Sequence, residues 1–206
     1  MKREIVGAFA CPIYSITRDS ELNSEEKKEI DDIVEEGMKW NISNSHTKNS
    51  YIFNTKLKNL KEFCEKQIKI YVENVISSKD TIDFYITQSW LNKTEPGESH
   101  HRHSHSNSII SGVFYVSTLE NDWIDFHDPN QKIRDRIHIP PKENNIWNST
   151  TLGIPVQNND LLLFPSWLDH SVGVNKTSKN RVSISFNVFA KGSLGGEFAL
   201  TELNLK

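Results

Sequence analysis

Cysteine is nearly absent from this sequence. Its 206 residues include two, Cys11 and Cys64, and neither lies in a CxxC spacing. That excludes a zinc ribbon and argues against a disulfide framework, so a reduced, intracellular compartment is expected. A basic excess is missing too: 24 Lys and Arg stand against 27 Asp and Glu, for a net charge of −3. The chain thus lacks the electrostatic footprint of a nucleic-acid binder. No run approaches the ~20 apolar residues that span a bilayer. The opening MKREIVGAFACPIYSI fails as a secretory signal, because Glu4 interrupts its basic start and Pro12 ends a short apolar stretch. Internal repeats and low-complexity segments are also lacking. These absences point to a soluble, cytoplasmic protein, most simply one domain. Apolar residues make up only 36%, partly offset by ten Phe, five Trp and five Tyr, which bury large areas each.

What is present divides near residue 80. Residues 5–16 alternate loosely around Pro12 and predict a short edge strand or extended lead-in. Asn23-Ser24-Glu25-Glu26 is a helix start, and Ile30, Ile33, Val34 and Met38 follow at helical spacing. Residues 41–55 are polar and read as loop. A second helix is predicted from about Lys56 to Ile76, with Leu57, Leu60, Phe63, Cys64, Ile68 and Tyr71 on one face and Cys64 as core. Beyond Ile82 the pattern is that of strands: Ile82–Leu91, Ile109–Val116, Trp123–Phe126, Asp160–Pro165 and the strictly alternating Arg181–Ala190. The charged, Asn-rich segment 130–159 reads as short strands and a long loop that shapes a binding mouth. Two helices and then many short strands predict a mainly β (α+β) fold, a sandwich or barrel braced by N-terminal helices.

The chemistry concentrates in His100-His101-Arg102-His103-Ser104-His105, which holds four of the eight histidines. Neutral imidazole is a good metal ligand near physiological pH. Two histidines one residue apart can face one ion, and a single distant ligand would complete a three-ligand face with open positions, as in non-haem iron oxygenases. That distant ligand is His170, which follows the buried strand ending in Phe164-Pro165. Eleven positions later Arg181 begins a strand with Ser183 on the same face. A guanidinium beside a hydroxyl suits a carboxylate. His100, His101, His127 and His138 read as solvated, and Trp90 as core. Asn92 is a candidate for the pocket wall. Asn107 either caps its turn or reaches the pocket.

The motifs His103-Ser104-His105-Ser106-Asn107-Ser108, Ser111-Gly112-Val113-Phe114-Tyr115-Val116, Leu163–Leu168 with His170 and Val172, and Arg181–Asn187 resemble, in order and spacing, the Fe(II)- and 2-oxoglutarate-dependent dioxygenases. More narrowly, the chain resembles the uncharacterised members of that superfamily from marine bacteria and their phages. The resemblance spans nearly the whole chain. It implies a double-stranded β-helix (jelly roll, cupin-like): helical support over about 20–80, a core over about 81–192 and a tail over 193–206. It also implies His103 and His170 as metal ligands, Arg181 and Ser183 on the far carboxylate of 2-oxoglutarate, and Tyr115 beside them. The wider superfamily expects Asp or Glu at position 105, where this chain has His105. The third ligand is then His105, a carboxylate such as Glu98 or Asp125, or none, with His105 instead donating a hydrogen bond to a group that holds the ion. The expected function is a hydroxylase that couples decarboxylation of 2-oxoglutarate to succinate with oxidation of a small-molecule or side-chain substrate by O2. The alternatives are a non-catalytic cupin-like metal- or ligand-binding module, or a three-histidine iron dioxygenase that does not use 2-oxoglutarate.

Overall fold

A computed structural model describes residues 3–5, 7, 9–79, 81–131, 137 and 139–206. His138 lies outside them. The chain opens with β1 (Tyr14–Thr17), α1 (Ser24–Glu35), β2 (Met38–Asn41), β3 (Asn44–Thr47) and α2 (Lys58–Tyr71). Strands follow: β4 (Asp83–Thr94), β5 (His100–His103), β6 (Ile110–Ser117), β7 (Trp123–His127), β8 (Thr151–Pro155), β9 (Asp160–Pro165), β10 (His170–Val172), β11 (Arg181–Leu194) and β12 (Leu203–Leu205). No helix among the described residues is long and apolar enough to cross a membrane.

Both helix starts have identifiable causes. At α1, Asn23 Oδ1 accepts from Glu26 N at 2.9 Å and Asn23 N donates to Glu26 Oε2 at 3.0 Å, a reciprocal capping box. At α2 no local side chain caps the first turn. Leu57 sits in the left-handed region at φ 60°, and its N–H donates to Glu29 Oε2 of α1 at 2.8 Å. The first helix thereby anchors the start of the second. The predicted end at Ile76 is met by a wider π turn, Val72–Ile76, added to α2.

A large antiparallel sheet runs β1-β9-β6-β11-β4-β3-β2, with β12 added on β11, and a smaller one runs β5-β10-β7-β8. Strand β11 is the spine, flanked by β4 and β6 along most of its length. The large sheet is covered on both faces at β6 and β9, which explains the nearly continuous burial of those two strands. Along β6 and β9, Phe114, Leu161 and Leu163 point toward α2, where they meet Leu60, Cys64 and Ile68. Their neighbours Val113, Tyr115, Leu162 and Phe164 point the other way, toward Ile124 and Phe126 of the smaller sheet. Period-two alternation thus divides one run of residues between two cores. Gly112 allows the tightest crossing, since a Cβ there would stand 2.1 Å from Phe186 Cζ.

The fold is the mainly β, helix-braced double-stranded β-helix expected. Two readings differ. Met38, placed in the stripe of the first helix, lies beyond α1 and opens β2. Residues 41–55, read as loop, contain β3, which pairs with β2 and lays His46 beside Asn92 of β4. The hairpin has no apolar periodicity of its own. Its strand pairing comes from the distant β4 edge, which local sequence does not display.

Candidate metal centre

The smaller sheet sets the histidines. β5 and β10 pair antiparallel with His103 opposite His170. Just past β5, His105 N donates to Ser166 O at 2.9 Å, which carries the chain back toward the end of β9. As a result one ligand atom from each of His103, His105 and His170 lies within 4.8 Å of the others. The ring centroids are 4.3 to 5.2 Å apart.

Each ring is held the same way. His103 Nδ1 donates to His101 O at 2.8 Å, His170 Nδ1 to Leu168 O at 3.0 Å and His105 Nδ1 to Asn187 Oδ1 at 2.6 Å. A carbonyl oxygen can only accept, so each Nδ1 carries the proton and each Nε2 keeps its lone pair. This is how ligating histidines are oriented. Burial holds the rings neutral. It pushes His103 down to about 4 and His170 to about 3, with neighbouring histidines adding to the shift. Burial also lowers His105, against the opposing hydrogen bond from Asn187. Phe164 packs edge-on against His170 with centroids 4.8 Å apart.

Two cavities meet at these rings. The outer one, about 330 Å³, is open and lined by Trp90, Asn92, Gln88, Asn41, Ser106 and imidazoles that include His103 and His105 but not His170. The inner one, about 30 Å³, is enclosed by the three histidines, Tyr115, Arg181 and Ser183 among others. Its inner end is charged. Arg181 Nε lies 2.9 Å from Asp122 Oδ2, with both side chains 5% exposed, and the guanidinium carbon stands 5.2 Å from the Tyr115 ring centroid. The Tyr115 hydroxyl is buried beside the Arg181 guanidinium with no acceptor for its own proton, and burial raises it to about 12. A buried donor with no acceptor is rare and calls for a ligand, such as a carboxylate, that supplies one.

Every residue chosen from the sequence for metal or cosubstrate lines one cavity or both: His103, His105, His170, Arg181, Ser183 and Tyr115. Several side readings need correction. His100 and His101 are half-buried rather than solvated, because β5 pairs with β10. His100 stacks on His103 at 4.5 Å and burial pushes it down to about 2. His127 is also half-buried, with Nε2 2.8 Å from Ser171 Oγ. Trp90 lines both cavities, as does Asn92. Neither Glu98 nor Asp125 joins the histidine cluster: Glu98 Oε2 accepts from Glu95 N at 2.7 Å, and Asp125 sits against Gly153. Asn107 takes a turn conformation at φ 54° and is exposed. Two contributors were missed. Asn187 stands in the sequence only as the last residue of the Arg181–Asn187 motif, with no sign of its contact to His105, and Asp122 carries no local motif.

Two packed antiparallel sheets with three imidazoles converging at one end define a jelly-roll protein with a candidate metal centre. Residues 88–187, which carry all of these histidines, match the family described as "Putative 2OG-Fe(II) oxygenase". No curated protein matches the chain. Among solved structures, the fold is similar to the non-haem α-ketoglutarate-dependent epimerase SnoN from nogalamycin biosynthesis, at TM-score 0.64, 14% identity, and coverage of 94% of this chain and 85% of that one. It is also similar to HygX from Streptomyces hygroscopicus with nickel and 2-oxoglutarate bound, at 0.60, 8%, 86% and 82%. A third similar structure is the viral collagen prolyl hydroxylase of Paramecium Bursaria Chlorella virus-1 in its 2-oxoglutarate complex, at 0.53, 10%, 85% and 94%. The family match over residues 88–187, together with these neighbours, supports a 2-oxoglutarate-dependent non-haem iron oxygenase with Fe(II) and 2-oxoglutarate as cofactors.

Proposed function

We propose that the protein is a hydroxylase in which His103, His105 and His170 hold Fe(II) and Arg181, Ser183 and Tyr115 receive the far carboxylate of 2-oxoglutarate. We also read the chain as a single oxygenase domain. The observation that carries this reading is the shared tautomer. Three imidazoles, that of His170 buried and those of His103 and His105 half-buried, each have Nδ1 occupied by an oxygen and Nε2 left free, beside a cavity with a buried arginine.

When bound, iron and cosubstrate supply oxygen activation coupled to decarboxylation of 2-oxoglutarate to succinate. The chain's own residues do the rest. The carbonyls of His101 and Leu168 and the amide of Asn187 orient the three rings. Phe164 and Phe126 form the dry wall beside His170. Ser183 and the Tyr115 hydroxyl offer donors to a carboxylate, and Arg181 offers charge. The inner cavity has room for about one water, so a five-carbon diacid enters only as lining side chains give way. His100, which lines both cavities, is placed to move.

The outer cavity suits the oxidised substrate. Its lining consists of carboxamides, hydroxyls, imidazoles and the Trp90 indole, with no Lys, Arg, Asp or Glu. That composition fits a small, uncharged, hydrogen-bonding molecule. The free thiols Cys11 and Cys64 fit a reducing cytoplasm, in which ferrous iron persists. The test is oxygen-dependent conversion of 2-oxoglutarate to succinate by iron-loaded protein. We expect turnover that disappears in His103→Ala and His170→Ala. Equal turnover in those variants and the wild type would refute the reading.

A further inference from the structure

The buried ion pair at the inner end includes a carboxylate that the cosubstrate reading does not use. Asp122 precedes β7, and its Oδ2 lies 2.9 Å from Arg181 Nε. It is fixed by its own turn. Leu119 N donates to the same Oδ2 at 3.2 Å, and Val156 N donates to Asp122 O at 3.0 Å. The Arg181 Nε–H does not align with a hydrogen-bond acceptor, so the link is one of charge against charge. The other flank of the guanidinium meets the Tyr115 ring. Arg181 is therefore already neutralised before any ligand arrives, by a carboxylate that stands behind the guanidinium, since no Asp or Glu among the described residues lines the inner cavity itself.

Counting charge gives this contact a purpose. The metal face contributes none, because each of its three imidazoles gives its Nδ1 proton to an oxygen and keeps Nε2 as an uncharged donor for an ion. Fe(II) and dianionic 2-oxoglutarate cancel each other. Arg181 and Asp122 do the same, so the loaded site is neutral. Without Asp122 it would hold a net positive charge in a space closed to water, where an uncompensated charge is costly.

We propose that Asp122 is the counter-charge of the cosubstrate clamp. It keeps Arg181 in place while the site is empty, and it moderates the hold on the incoming carboxylate by competing for the same guanidinium. This rests on the reading that Arg181 receives that carboxylate. The test is Asp122→Asn, which keeps the shape and removes the charge. Binding of 2-oxoglutarate to the anaerobic Fe(II) protein is measured by calorimetry, alongside the thermal midpoint of the metal-free protein. The expected result is a lower midpoint and about tenfold tighter 2-oxoglutarate, equivalent to ~1.4 kcal/mol. Equal or weaker binding overturns the proposal. If Asp122→Asn does not fold, the wild type still decides. An analogue with an amide in place of the far carboxylate should bind within about tenfold of 2-oxoglutarate, because the clamp is already neutralised. A loss of about a thousandfold, near the full cost of stripping a partner from a buried charge pair, overturns it. Arg181→Ala separates the two levels of the argument. If it leaves 2-oxoglutarate affinity unchanged, the clamp reading itself has failed. If it weakens binding while Asp122→Asn does not tighten it, only the role of Asp122 has failed.

Discussion

At the outer end of the cavity, His103, His105 and His170 present uncharged nitrogens, each ring steadied by a neutral oxygen. At the inner end, Arg181 and Asp122 carry full charges and are 5% exposed. The first end is assembled from β5, the turn beyond it and β10. The second comes from β11 and the turn before β7. Neutral donors make metal affinity depend on ligand number and orientation. A charged end makes cosubstrate affinity depend on electrostatic balance. The two should therefore fail separately.

The largest break is expected at the metal end. His170→Ala removes a proposed ligand at the first position of β10, opposite His103, so iron binding should fall by more than about a hundredfold, as read by anaerobic equilibrium dialysis. Arg181→Ala strikes the other end. It should weaken 2-oxoglutarate by about a hundredfold and leave iron within about threefold, since truncating a buried charge costs ~2–5 kcal/mol. Comparable losses of both ligands in that variant would erase the distinction between the ends. Asn187→Ala sharpens the comparison. It frees the His105 ring without touching a ligand atom, and iron affinity should fall by about tenfold. Gly112→Ala serves as a control outside both ends. The added Cβ collides with Phe186, so the protein should lose ~1–3 kcal/mol of stability while the ratio of iron to cosubstrate affinity stays constant.

The smallest effect is one of pH. In the folded, metal-free protein His103 and His170 stay neutral down to about 4 and about 3, whereas in the unfolded chain a histidine takes its proton near pH ~6.5. On acidification the unfolded state binds protons first. The stability these rings contribute is present above about pH 6.5 and is lost as pH falls toward 4 and then 3. The thermal midpoint of the metal-free wild type should therefore drop between pH 7 and pH 5 by more than that of His170→Asn. Equal drops would show that these rings are not held neutral by the fold.

How much of this was legible in the sequence depended on how local its cause was. The capping box at Asn23, the stripe through Leu60, Cys64 and Ile68, and the alternation on β11 are written within a few residues, and they emerge as elements. The three histidines that converge in the structure, and Arg181 beside them, stood out in the sequence because their chemistry is rare and their order resembles that of a known family. The failures concern relations across the sheets. His100 and His101 look like a solvated cluster until β5 pairs with β10. Trp90 looks like core until register turns its face to both cavities. The hairpin of β2 and β3 has no apolar period, and its pairing comes from β4. Asp122 meets Arg181 only after β7 and β11 are folded into different sheets, and nothing near it in the chain announces the contact.

The most direct measurement of the central claim is anaerobic addition of Fe(II) and then 2-oxoglutarate to the metal-free protein, followed by visible absorption in the wild type and in His105→Ala. With His105 as a ligand beside His103 and His170, a charge-transfer band should appear in the wild type only when both iron and cosubstrate are present. In His105→Ala it should be shifted or lost. No band in the wild type despite stoichiometric iron, or an unchanged band in the variant, would contradict the three-imidazole centre.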